Sequence, residues 1–367
     1  MTVATTTDVE AVVRRDASLL EEDLAAFLGT LVPPSSDVYG AALRRSLYEP
    51  VADALGSKAG QPALPGPGAP LRPSMVYWAY RNYRGFDAGQ AEGLDAVRRV
   101  AVAVRVLLKA AVAIDDIQDG SDVRYGEPAL HRGHGVPLAL NTASWLVAAA
   151  LEHAAHPAAV AGLVRSVRDG FTGQAADLAA RSADTRAALL AAPPEERVRF
   201  WESVAELKTG TLFLMPLGAA LLALDVVEEE RRTLDEAMRR LGLASQLFND
   251  LTDVLPEFGG ANSHEDFAGL GNRVFLELLG DGDGSGSGPG GDLGPAALKT
   301  YVLDHPRLRP TLLALSAEAA ELKRSAKELV HGVCTSAASA AYFDLTIDRK
   351  GHVIDRLHDT LRQREQA

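Results

Sequence analysis

Two acidic stretches hold the residues that could do chemistry. In AVAIDDIQDGSDVRYGEP (111–128), Asp115, Asp116 and Asp119 close an otherwise apolar, alanine-rich run. Asp115 and Asp119 stand four apart, so on a helix they share one face a single turn apart. Like charges at that spacing repel unless a cation sits between them. Far downstream, GLASQLFNDLTDVLPE (242–257) puts Asn249, Asp253 and Glu257 at i, i+4 and i+8, with Asp250 inside the same stretch. One such cluster reads as a solvated helix end. Two of them, each closing a long apolar helix, point to metal binding. Facing stripes of this kind would cage hard divalent cations. Mg²⁺ takes few protein carboxylates and leaves room for water and phosphate oxygens. The pattern therefore predicts several ions around one diphosphate, which they would help to leave.

Cations and amides near the clusters suit the same chemistry. Arg124 lies five past Asp119, and Lys208 sits in ELKTGTLF within an apolar helix. An unpaired amine is costly to bury there, so Lys208 needs an anion, either an internal carboxylate or a substrate diphosphate. Gln246, one turn before Asn249, can hydrogen-bond a metal ligand or a phosphate. Gln174 and Asp177 (GQAADLA) fall three apart on another helix. They are either supporting partners of the ligands or plain polar packing.

Helices must position these groups. Apolar residues recur at helical spacing over 12–31, 38–55, 74–83, 91–114, 136–153, 157–182, 195–224 and 228–255, with two or three more helices to about Arg362. Strand-type alternation is nearly absent. Residues 1–10 are expected to fray, 56–70 (GSKAGQPALPGPGAP) to form a loop, and 280–292 (GDGDGSGSGPGGD) a flexible insert. The expectation is one all-α domain over 1–367, an antiparallel bundle. Hydrophobic residues at 47% and charged ones at 23% suit a folded globule. A net charge of -12 argues against a nucleic-acid partner. The sole cysteine, Cys334, excludes an intrachain disulfide or thiolate metal site and suits a reducing compartment. The N-terminus lacks a signal-peptide pattern, and no uninterrupted apolar run has bilayer-spanning length. A soluble cytoplasmic protein is expected.

DDIQDGSDVRYGEPALH, GVPLALNTASWL, GQAADLA, KTGTLF and ASQLFNDLTD, in this order, resemble the polyprenyl synthetases (trans-isoprenyl diphosphate synthases). The resemblance runs from about Leu71 to about Gly271. It implies the all-α isoprenoid synthase fold around a central active-site cavity, with Mg²⁺ (three ions) between the two acidic helices. It also implies an allylic isoprenyl diphosphate substrate and a homodimer. Asp115, Asp116 and Asp119 match the first aspartate-rich motif, and Lys208–Thr209 the diphosphate-binding pair. Gln246 and the stretch from Asn249 through Asp250 to Asp253 match the second motif. Metal ligation by Asp115, Asp119, Asn249, Asp250 and Asp253 is thereby implied, as is diphosphate binding by Arg124, Lys208, Thr209 and Gln246. Asp115, Asp116, Asp119 and Lys208 form the implied catalytic set.

The departures narrow this reading. Chain-elongating members hold isopentenyl diphosphate with a Gly-Lys-Arg run before a Leu-Arg-Pro. Here Leu71, Arg72 and Pro73 stand, but Ala69 and Pro70 replace the two cations. A second arginine of the family is Tyr125 here. Each charge-assisted bond so lost is worth about 1.5–3 kcal/mol, so a second diphosphate should bind orders of magnitude more weakly. In the second motif the leading Asp is Asn249, and Glu257 completes an N-D-x-x-D-x-x-x-E pattern. That is similar to the metal triad of class I terpene synthases and adds Glu257 to the expected ligands.

Ala110 and Ala111, five and four before Asp115, leave a pocket floor open where elongating relatives carry bulky aromatics. This favours a long substrate such as geranylgeranyl diphosphate, within a C15–C20 range. Trp78, Tyr80, Trp145, Trp201 and Phe248 could shield a carbocation, although core packing explains them as well. The sequence thus points to a Mg²⁺-dependent terpene synthase on a prenyl-synthase-like fold. The alternatives are a prenyltransferase, elongating or alkylating another acceptor, and a non-catalytic subunit of a heteromeric prenyl synthase.

Overall fold

The computed structural model describes residues 6–31, 37–56, 71–89, 91–124, 126–258, 267, 269–279 and 294–366. Its helices are α1 (Thr6–Thr30), α2 (Val38–Leu43), α3 (Glu49–Gly56), α4 (Leu71–Arg84), α5 (Leu94–Asp119), α6 (Leu130–His134), α7 (Val136–Ala154) and α8 (Pro157–Ala179). After them come α9 (Ala183–Ala191), α10 (Pro194–Ala205), α11 (Thr211–Ala223), α12 (Glu228–Val254), α13 (Arg273–Leu279), α14 (Pro295–Leu303), α15 (Leu308–Val333) and α16 (Ala337–Gln366). A two-residue antiparallel hairpin, β1 (Val123–Arg124) with β2 (Glu127–Pro128), follows α5. Single π-helical turns occur at Arg44–Tyr48 and Glu206–Gly210. Of the expected loop 56–70, Gly56 ends α3 and 57–70 lie outside the described residues, as do the insert 280–292 and the N-terminal part of the expected frayed end. Fraying fails for residues 6–10, because α1 starts at Thr6 and Val9 is buried.

The chain packs as two compact units. The first comprises Met1–Arg165, Met215–Leu234 and Val330–Lys350; the second Ser166–Leu214, Asp235–Leu329 and Gly351–Ala367. In the first, α5 packs against α7, α4 and α1. Every residue of α5 from Val100 to Leu107 is buried, so this stretch is apolar on all faces but for Arg105 because it is enclosed all round. It ends at Gly120, whose φ of 67° is the left-handed conformation that stops a helix. The acidic cluster therefore sits in the last turns of a rigid helix. α4 is equally enclosed, and its Trp78 Nε1 donates to the Ser339 carbonyl at 2.9 Å.

In the second unit, α12 and α13 contribute Leu243, Leu247, Leu251, Val274, Phe275 and Leu278 to a core that Trp201 also fills. By length and composition the helical run Pro194–Ala223 is apolar enough to cross a membrane, but Arg197, Glu202, Glu206 and Lys208 interrupt it. Some 67% of its apolar window is buried within the protein, as for a core helix.

Candidate functional site

In the first unit the hairpin turns Arg124 back onto the end of α5. Its Nε donates to Asp116 Oδ1 and its Nη2 to Asp115 Oδ2, both at 2.7 Å. Asp116 is buried, and burial pushes its carboxyl pKa up, against the pull of Arg124. It therefore serves as the inner anchor of Arg124, while Asp115 and Asp119 stay half-buried one turn apart. Of the two alanines of the expected pocket floor, Ala111 is exposed and Ala110 is fully buried. Tyr125, like Ala69 and Pro70, lies outside the described residues.

Beside this cluster lies a cavity of about 420 Å³, bounded by α3, α5, the hairpin and α6. Lys109, Arg124 and His134 line it, and so do Asp53, Asp116 and Glu127. Asp53 Oδ2 engages His134 Nε2 at 2.8 Å. Lys109 is a site residue the sequence reading missed. Its side chain is 3% exposed, and burial, with Arg105 adding like-charge repulsion, lowers its pKa to about 7. The available signal was a lysine inside the apolar run VLLKAAVAI, one turn and a half before Asp115.

In the second unit Lys208 and Thr209 ride on the π turn between α10 and α11. A π turn inserts an extra residue into the helical repeat and commonly marks a functional position. Two glycines let neighbouring backbones close on it. A Cβ on Gly173 of α8 would lie 2.5 Å from the Lys208 nitrogen, and one on Gly242 of α12 would lie 2.4 Å from Gly210 Cα. Lys208 Nζ donates to Asp177 Oδ2 at 2.7 Å, so the internal salt bridge exists; the lysine side chain keeps 28% exposure. Gln174 is buried on the same helix as Asp177.

The second acidic cluster differs from its expected form in two places. Asp250 is expected as a metal ligand, but it is 2% exposed and its oxygens are taken by protein donors. Trp201 Nε1 at 2.7 Å and the Arg273 backbone N–H at 2.8 Å donate to Oδ2; Gln246 Nε2 donates to Oδ1 at 2.8 Å. Burial pushes its pKa up to about 7, with those three bonds opposing. It is a structural hub. Glu257 is the other correction. α12 ends at Val254 and Glu257 belongs to a separate 3₁₀ turn, Pro256–Phe258, because a residue before proline leaves the helical region. Glu257 is thus off the Asn249–Asp253 stripe, exposed, and held by Arg364 Nη1 at 3.2 Å. Asn249 and Asp253 remain half-buried on α12, and Asn272 Nδ2 donates to Asp253 Oδ2 at 3.1 Å. Trp78, Tyr80 and Trp201 are core residues with bonded polar atoms, so the carbocation-shielding role does not apply to them.

Oxygen donors at i and i+4 on each helix suit a hard cation. Among the described residues no group of three or more His, Cys, Asp or Glu stands preformed for a metal.

Residues 56–266 match the family model for polyprenyl synthetase. The chain belongs to the polyprenyl synthetase family. A prenyl transferase from Penicillium paxilli, paxC, is 33% identical over 167 residues, 45% of this chain and 50% of that protein. Fusoxypene synthase from Fusarium oxysporum is 30% identical over 257 residues, 68% of this chain but 32% of that one. The chain therefore spans half or less of the length of these two curated relatives. A crystal structure of polyprenyl synthase from Caulobacter crescentus, complexed with calcium and isoprenyl diphosphate, superposes with a TM-score of 0.66 at 20% identity, covering 93% of this chain and 97% of that one. The isoprenoid synthase fold expected from the sequence is the fold of this chain.

Proposed function

We propose that this polyprenyl synthetase ionises an allylic isoprenyl diphosphate, geranylgeranyl diphosphate in the first place, and lets the cation cyclise or lose a proton, as a terpene synthase does. The observation that carries the choice is the charge balance of the cavity beside the first cluster. Arg124 and Lys109, the latter with a pKa of about 7, face three carboxyls there, Asp53, Asp116 and Glu127. A second diphosphate would meet no surplus positive charge among these residues, in line with Ala69, Pro70 and Tyr125 replacing the family's co-substrate cations.

Mg²⁺, when bound, would neutralise charge gathering on the departing diphosphate; we assign three ions. Asp115 and Asp119 would offer donors to it in the first cluster, Asn249 and Asp253 in the second. Asp116 keeps Arg124 in place, and Arg124, Lys208 and Thr209 hydrogen-bond phosphate oxygens. No protein nucleophile is required, since the released diphosphate can take up the proton. A homodimer is part of the proposal. The exposed Val136 and Leu140, one turn apart on α7, support it, and sedentation of a monomer at micromolar concentration would remove it.

The same cavity supports a second reading, prenyl transfer. A neutral or weakly charged acceptor could occupy 420 Å³ without needing surplus cations. The deciding experiment is incubation with Mg²⁺ and geranylgeranyl diphosphate, with and without isopentenyl diphosphate, analysing both extract and phosphatase-treated aqueous phase. A hydrocarbon or alcohol formed without co-substrate is expected. A longer prenyl alcohol formed only with co-substrate overturns the terpene synthase reading.

A further inference from the structure

We propose that Asn272 is a positioning residue for Asp253, holding that carboxylate in place for a divalent cation. The inference rests on the proposed role of Asp253 as a metal donor. Asn272 directly precedes α13 and is its N-cap. Its backbone carbonyl accepts from the Leu276 N–H at 3.1 Å, and its side-chain Oδ1 from the Val274 N–H at 2.9 Å. With the amide oxygen so engaged, the NH₂ group faces α12. There Nδ2 donates to the Asp250 backbone carbonyl and to Asp253 Oδ2, both at 3.1 Å. Two acceptors on one side and a donor on the other fix which way the amide points. Asn272 is buried, so water competes little for these bonds.

Capping alone does not call for asparagine. Serine and aspartate cap a helix as well. Serine has a single proton to give, and aspartate would turn an oxygen towards the Asp250 carbonyl and the Asp253 carboxylate. Among side chains this short, asparagine alone joins a capping acceptor to two N–H donors. The two oxygens it reaches span one turn of α12, a backbone oxygen at 250 and a side-chain oxygen at 253. Asn272 thereby ties the rotation of the Asp253 side chain to the helix backbone. The segment bearing Asn272 is itself pinned. A Cβ on Gly271 would lie 3.1 Å from Asp177 Oδ1, and the Arg273 N–H is bonded to Asp250. A tethered carboxylate gives up less freedom when it ligates, and such hydrogen-bonding partners typically account for about 10–100-fold in metal affinity.

The test is Asn272→Ser, which keeps a capping oxygen and removes the amide. Mg²⁺ is titrated by calorimetry into the full chain with inorganic diphosphate present, and the Mg²⁺ dependence of turnover is recorded alongside. We expect the apparent Mg²⁺ affinity to fall about 10–100-fold, with turnover recovering at high Mg²⁺. Ser182→Ala is the control, because it removes only the cap of α9 in the same unit, where the Ser182 side chain accepts from the Thr185 N–H. It should lower the melting temperature without moving the Mg²⁺ affinity. In an Asp253→Ala background, Asn272→Ser should cause little further loss, since the two act through one ligand. Wild-type Mg²⁺ affinity in Asn272→Ser, or an undiminished loss on top of Asp253→Ala, overturns the inference while the proposed function stands. If Asp253→Ala itself binds Mg²⁺ as tightly as wild type, the ligand role of Asp253 fails and the inference with it. Should Asn272→Ser not fold, Asn272→Gly caps almost as well, removes the same amide, and must show the same loss and the same non-additivity.

Discussion

Gly242→Ala is the sharpest probe of how the Lys208–Thr209 turn is held. Helix α12 and the π turn meet backbone to backbone: a new Cβ at Gly242 would lie 2.4 Å from Gly210 Cα and 3.0 Å from the Gly210 nitrogen. Carbon atoms rest at about 3.5–4.0 Å, so the two backbones must part by roughly 1–1.5 Å. No flexible side chain is there to swing aside. Overpacking of this kind costs about 1–3 kcal/mol, or several degrees of melting temperature in a protein of this size. Kinetics should suffer more. Displacing a positioning group by ~1 Å lowers rates about a hundredfold, and Gly210 directly follows Thr209. The assay pairs thermal unfolding by circular dichroism with steady-state turnover of geranylgeranyl diphosphate and Mg²⁺. Gly218→Ala is the control, because a Cβ there meets nothing within 4 Å. Wild-type kcat/KM together with a wild-type melting temperature in Gly242→Ala would refute the argument that backbone contact seats the turn.

Two further outcomes follow from buried charges. Lys109→Met should stabilise the protein at pH 7 and lose that advantage towards pH 10. The folded pKa of Lys109, about 7, lies below its ordinary 10.5, so the lysine's unfavourable contribution is absent above 10.5, accumulates as pH falls, and is complete near 7. Its ceiling is on the order of 4 kcal/mol, less where cavity water reaches the amine. Equal melting temperatures for the two proteins at pH 7 would show that the amine is not desolvated. Asp16→Ala should cost about 3–5 kcal/mol by stranding the buried Arg81 guanidinium, which Asp16 engages at 2.5 and 3.1 Å. Adding Arg81→Met should recover most of it; a double variant as unstable as the single one, in urea unfolding, would contradict that account.

The sequence made the helices and the first cluster legible because both are local. The apolar run of α5 and the i, i+4 spacing of Asp115 and Asp119 need no tertiary knowledge. Where a local rule competed with spacing, spacing lost: Pro256 ends α12, so Glu257 never joins the stripe that its position eight after Asn249 suggested. Asp250 was misassigned for a different reason. Its donors Trp201 and Arg273 lie 49 and 23 residues away, and nothing near a carboxylate in sequence tells whether distant N–H groups will occupy it. The backbone approaches of Gly173 and Gly242 were hidden in the same way, since glycine in a helix usually signals nothing more than weakness. Lys109 left a trace, a charge amid apolar residues, and only the cavity gave that trace a meaning.

The division of each unit into three separated stretches has a consequence for biosynthesis. The chain passes from one unit to the other five times along its length. Asp16 waits for Tyr342, 326 residues later, and Trp78 waits for Ser339. Glu257 waits for Arg364, 107 residues later. At about 5–20 residues per second of synthesis, the first helices of this chain spend many seconds on the ribosome before their native partners exist. Neither unit can finish as a nascent segment, and folding that depends on such distant contacts is slow. A stop codon or a recombination junction anywhere before residue 351 would leave both units incomplete, so this architecture is inherited whole.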